Sequence, residues 1–164
     1  MNELVLKIEQ WAEDRNLIKG SDPLSQAMKL FSEAGELADN IGKGRCVKDD
    51  IGDVLVVMIV ISKQLGATLT SFDVPQWAED TSKKLMLKLN GSLVEFVEWA
   101  ESKAFASGIV KRILNILSGI AANHKTTLEE CLAVAYNDIK DRKGIMHDGI
   151  FIKESDPRYA ELVK

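Results

Sequence analysis

Val54-Leu55-Val56-Val57-Met58-Ile59-Val60-Ile61 is an uninterrupted apolar run rich in β-branched residues. Taken alone it reads equally as a buried strand or as part of a buried helix. Its surroundings decide. Asp49 and Asp50 precede it and suit the positive end of a helix dipole, and Gly66 follows at a natural stop. The segment 48–65 is long for a strand, and the chain holds no other clear strand for it to pair with. It is therefore read as a helix, and an all-round apolar helix belongs at the centre of a bundle. The fold class expected is all-α.

Upstream, Ile41-Gly42-Lys43-Gly44-Arg45 should end one helix and let the chain reverse. A helix over 24–41 precedes it, with Ala27, Leu30, Phe31, Ala34, Leu37 and Ala38 as an apolar stripe. Glu33 and Glu36 before this loop mirror Asp53 and Asp50 after it, both pairs centred on Lys43. In an antiparallel helical hairpin each Glu then faces an Asp at the same height. Three-residue spacing puts both members of each pair on one helical face. Four carboxylates converging there would repel one another unless a cation neutralised them, and hard oxygen ligands suit Mg²⁺, with Mn²⁺ able to substitute.

Further out, residues 3–15 read as a first helix through Leu4, Ile8 and Trp11, and Ser21-Asp22-Pro23 as the cap and first turn of the second. A fourth helix is expected over 70–89, ended by Asn90-Gly91-Ser92. Helices over 93–107, 108–122 and 127–143 follow, and the tail from Gly144 turns at Asp148-Gly149 and extends. Residues 32–38 resemble 94–100, and 54–69 can be laid over 113–128, which suggests a degenerate second four-helix-like repeat. Under that overlay Asp50 and Asp53 fall on Ile109 and Arg112, so the second copy should bind no metal. The expected organisation is one all-α domain over 1–164, with a metal-binding half (1–90) and a repeat-like half (91–164). Chance similarity between amphipathic helices is the ordinary alternative.

Composition narrows the classes. A chain of 164 residues favours one domain, and a net charge of -4 argues against a nucleic-acid-coating protein. Cys46 and Cys131 form no CxxC pair, which disfavours zinc or a disulfide framework and fits a reducing cytoplasm. No signal peptide is visible, and the apolar run is far too short to span a bilayer. No membrane partner is expected.

Phe31-Ser32-Glu33-Ala34-Gly35-Glu36-Leu37, followed by Asp50-Ile51-Gly52-Asp53-Val54-Leu55, resembles the MazG-like all-α nucleoside triphosphate pyrophosphohydrolases, whose pattern is EExxE, a spacer, then ExxD. The similarity covers roughly 8–90. Residues 135–144 are similar to the C-terminal segment of longer, often phage-encoded members, and to the dimeric-type dUTPases of the same superfamily. Ser32 stands where the family has its first Glu, and Asp50 stands for the Glu of ExxD.

The resemblance implies Mg²⁺-dependent conversion of a nucleoside triphosphate, a deoxynucleotide above all, to the monophosphate and pyrophosphate. Glu33, Glu36, Asp50 and Asp53 would be the metal and catalytic residues. A triphosphate also needs cations, for which Lys83, Lys84, Lys88, Asn137 (as a hydrogen-bonding partner), Lys140, Arg142 and Lys143 are the candidates. The cationic groups of 140–143 could equally complement a helix C-terminus. Trp11 and Phe31 could stack on a base or pack in the core; Met28, Met58, Met86 and Met146 read as core fillers; His124 and His147 are isolated. A dUTPase-like specificity and a non-catalytic dimerisation or regulatory module are the rival readings. Such a unit pairs either with its own repeat or with another copy, as a dimer or tetramer. The location expected is the cytoplasm, that of the host if the chain is phage-encoded.

Overall fold

The apolar run at 54–61 is helical. In the computed structural model, which describes residues 1–69, 77–103 and 105–163, it lies within α3 (Lys48–Gln64). Leu55, Met58, Ile59 and Ile61 have no exposure at all, as expected for the central helix. Around it stand α1 (Asn2–Asp14), α2 (Pro23–Lys43), α4 (Ser82–Glu101), α5 (Ser107–Asn123) and α6 (Leu128–Ile139). A short hairpin, β1 (Gly144–His147) with β2 (Ile150–Lys153), and α7 (Tyr159–Leu162) end the described chain. The molecule is an all-α bundle with this single two-stranded appendage among the described residues.

Local chemistry sets the boundaries. Asp22 caps α2 by accepting from the Leu24 and Ser25 N–H groups, with Pro23 in the first turn. Gly44, at φ 66°, takes the left-handed conformation that ends α2, and the Arg45 N–H reaches back to the Asn40 carbonyl. The reversal before α3 is thus four residues long, and it makes α2 and α3 antiparallel. A capping box of Thr127 and Glu130 starts α6. Asp148 (φ 48°) and Gly149 (φ 73°) form the tight turn of the hairpin.

Several expectations need correction. The expected fourth helix falls partly on residues 70–76, outside the described residues; 77–80 are not helical, and α4 begins after Thr81. Asn90-Gly91-Ser92 breaks nothing. Leu89, Leu93 and Phe96 bury one continuous face, and the Ser92 hydroxyl donates to the Lys88 carbonyl, so tertiary packing overrides the weak local signal. Helix α6 stops at Ile139, leaving Arg142 and Lys143 beyond it, and Lys83 and Lys84 lie in the first turn of α4. Met28 is exposed, since the buried stripe of α2 runs through Ala27, Leu30, Ala34 and Leu37; Met58, Met86 and Met146 are buried as core fillers.

One helix–helix approach matters for the site. A Cβ on Gly52 would sit 2.3 Å from the Cys131 carbonyl oxygen and 2.6 Å from the Ala135 Cβ. Gly52 therefore lets α6 lie directly on α3, beside Asp49 and Asp53.

Candidate functional site

The facing sides of α2 and α3 line a cavity of about 560 Å³, completed by α1, the end of α6 and the β hairpin. From α2 come Glu36, Glu33, Lys29, Gln26 and Ser25; from α3 come Asp49, Asp53, Val56, Val57 and Val60. Because the helices are antiparallel, the cavity has two ends. Glu36 and Glu33 lie level with Asp49 and Asp53, while Ser25 and Gln26 lie level with Val57 and Val60. Asp138, near the end of α6, and Arg142, just beyond it, stand at the acid end, and Trp11, Met146 and Phe151 contribute to the wall.

Five carboxylates and two cationic side chains thus share this lining. Glu33 is buried and forms an ion pair with Lys29; Arg142 forms one with Asp138. Asp53 is half-buried, and its carboxyl is pushed up to about 7, first by burial and then by the like charges of Glu33 and Asp49. Asp49 is exposed at the mouth and is also raised, by desolvation first and by Asp138 next.

The structure places the expected residues unevenly. Glu33, Glu36, Asp53 and Arg142 come together in this lining, and Asp50 does not. Asp50 is buried and turns instead toward the end of α2, where its two oxygens each accept from the Asn40 amide at 3.0 Å. Asp49, one residue earlier, lines the cavity in its place. Mirror symmetry about Lys43 selected Asp50; spacing of four from Asp53 on a helical face, equally available in the sequence, selects Asp49. Lys29, Asp138 and Gln26 were also missed: Lys29 and Gln26 sit one and two turns before Glu33, a spacing that could have found them.

Among the expected substrate contacts, Lys84 and Lys88 both pair with Asp80, at 3.8 and 2.6 Å, away from the cavity. Lys140 donates to Asn137, and Lys143 pairs with Glu154 at 2.9 Å; none of these three lines the cavity. The reason is the early end of α6, after which the chain is drawn against α1. Trp11 Nε1 donates to the Ile139 carbonyl, Arg15 Nε to that of Arg142, and Arg15 O accepts from the Met146 N–H. Phe31, at the edge of exposure, does not line the cavity either, whereas Trp11 does.

The donor set is chemically suited to a hard divalent cation, and the raised Asp53 is the strain that such an ion would relieve. Yet among the described residues no three Asp, Glu, His or Cys side chains stand together as a formed metal cluster. The expected convergence of four carboxylates on one point is therefore not present. Lys29 holds Glu33 and Asn40 holds Asp50.

The second hairpin shows what becomes of the matching positions. Under the repeat overlay, Ser32–Ala38 and its partner lie in α2 and α4, and the apolar segments in α3 and α5. Arg112, in the place of Asp53, forms an ion pair with Glu95, in the place of Glu33, and its Nε donates to Ser92 at 3.1 Å. That half neutralises its own carboxylate.

No family model matches the chain, and no solved structure matches it. The chain is similar to an uncharacterized 18.2 kDa protein in the rep-hol intergenic region of Haemophilus phage HP1 (strain HP1c1), with 47% identity over 66 residues. The match covers 39% of this chain and 40% of that relative, so the chain spans well under half the length of the phage protein it matches. No described helix is long and apolar enough to cross a membrane.

Proposed function

We propose that the chain is a Mg²⁺-dependent nucleoside triphosphate pyrophosphohydrolase, releasing a monophosphate and pyrophosphate. The observation that carries this reading is the shared lining: Glu33, Glu36, Asp49 and Asp53 meet Lys29 and Arg142 in one cavity. The motif resemblance around Glu33–Leu37 and Asp50–Leu55 supports the same chemistry.

Glu33, Glu36, Asp49 and Asp53 would hold the cation. When bound, it supplies charge neutralisation for the polyphosphate and for the charge that develops during transfer. Neutralising Glu33 would release Lys29 from its ion pair to the remaining phosphate charge, and Arg142 would reach that charge by exchanging its Asp138 pair for a phosphate oxygen.

A non-catalytic helical module is the second reading, and one observation favours it: the absence of a formed acid cluster among the described residues. Ion-exchange analysis of products from all common NTPs and dNTPs, dUTP included, with Mg²⁺ or Mn²⁺, separates the two. The enzyme reading requires monophosphate and pyrophosphate in equal amounts, lost in EDTA. Diphosphate plus phosphate, or no turnover at all, would refute it.

A further inference from the structure

The apolar end of the cavity is built differently from the acid end. Val60, with Ala12, Leu17 and Met146, forms a small core separate from that of the bundle, and Trp11 and Phe151 pack against it half-buried. Both aromatic side chains line the cavity. One face of the Trp11 indole is covered by the Arg15 guanidinium, 4.8 Å from the ring centroid, and its N–H is taken by the Ile139 carbonyl, so the ring is held in place. Phe151 is held as well. Gly144 leaves room for it, since a Cβ there would meet the Phe151 ring at 2.4 Å. The hairpin that carries Phe151 is fixed to α1 by the Met146 N–H to Arg15 O bond, 2.8 Å, and the Asn16 Nδ2 to Met146 O bond, 3.0 Å. These features describe a rigid wall.

Polar groups border the same end. Ser21 and Ser25 line it, and Gln26 is buried with its amide donating to the Ser21 hydroxyl at 2.9 Å. That bond occupies a donor and keeps the Gln26 carbonyl as an acceptor. From Asp53 to Val60 the cavity runs about 10 Å along α3, at 1.5 Å per residue. An acid and cationic end thus lies one short spacer away from a flat-walled apolar end with hydrogen-bonding groups on its edge.

We infer that the C-terminal hairpin makes this end a subsite for a planar, uncharged heterocycle, the base of a nucleotide, walled by Trp11 and Phe151. The inference rests on the nucleotide reading above, but it does not require hydrolysis. Aromatic rings take flat heterocycles because stacking replaces water on both surfaces. Charged groups at the opposite end would orient the ligand so that the base enters first.

The test uses the full chain with Trp77→Phe and Trp99→Phe, both exposed positions, so that Trp11 is the remaining tryptophan. Uncharged nucleosides of adenine, guanine, cytosine, uracil and thymine are titrated while Trp11 fluorescence and heat are followed. Inorganic triphosphate with Mg²⁺ is titrated in parallel by heat alone. At least one nucleoside should bind saturably and change the Trp11 signal. Phe151→Leu, which keeps apolar bulk and loses the ring, should weaken it roughly tenfold to a hundredfold, while Phe151→Tyr retains it. Triphosphate affinity should be unchanged in Phe151→Leu. Binding of no nucleoside, or equal affinity in wild type and Phe151→Leu, would overturn the subsite. Nucleoside binding that needs Phe151 in a protein that hydrolyses no nucleotide would instead overturn the hydrolase reading and leave the subsite standing.

Discussion

Asp49, Asp50 and Asp53 are neighbours in sequence with three different duties. Asp50 holds the α2–α3 reversal through Asn40, so Asp50→Ala should leave a half-buried amide unpartnered and cost about 1–3 kcal/mol of stability. Denaturant unfolding reads that loss, and Mn²⁺ affinity should stay within about twofold of wild type if Asp50 is structural only. Asp53 carries the pH dependence. Its folded value, about 7, lies above the ordinary 3.8, so the folded chain keeps a proton there that the unfolded chain releases. The stability this proton contributes is complete below about 3.8 and is lost as pH rises through about 7. In EDTA the melting temperature should therefore fall between pH 5.5 and 7.5, a window about the Asp53 value, and Asp53→Asn should flatten most of that slope. Asp49 and Asp50, also raised, act in the same direction, whereas the lowered Asp22 and Asp80 act only in more acid solution. A melting temperature that climbs over that window would contradict the assignment.

Helices α3 and α6 meet at Gly52, and that meeting brings Asp138 and Arg142 beside the acids of α3. Replacing Gly52 by Ala improves helix propensity by up to about 1 kcal/mol. The new Cβ, however, meets a carbonyl oxygen at 2.3 Å on a backbone that cannot step aside. Overpacking wins, and a net loss of about 1–3 kcal/mol is expected by denaturant unfolding. A stabilised Gly52→Ala would show that the helices are free to separate. This contact also marks what the sequence could and could not disclose. The central helix, the Asp22 and Thr127 caps and the Gly44 stop were legible because each depends on residues close in the chain. Gly52 was not, because its partners Cys131 and Ala135 lie far away in sequence. The placing of Asp50 has the same origin: two adjacent carboxylates differ in facing by about 100°, and only the packed neighbours show that Asp50 is buried against Asn40 while the exposed Asp49 lines the cavity. The continuity of α4 through Asn90-Gly91-Ser92 was hidden because burial on one face outweighs local breakers.

The whole molecule sets one acidic hairpin against one self-neutralised hairpin. α2 and α3 carry carboxylates whose charges are only partly offset, while α4 and α5 answer Glu95 with Arg112. Repulsion on one side and an ion pair on the other predict one cation site per chain, at the α2–α3 side, with the C-terminal hairpin closing the far end of the same cavity. Calorimetric titration of Mn²⁺ into the purified protein tests this most directly. One site per chain is expected, lost in Asp53→Asn and Glu33→Gln and kept in Glu95→Gln. No binding, or binding that survives Asp53→Asn and fails in Glu95→Gln, would contradict it.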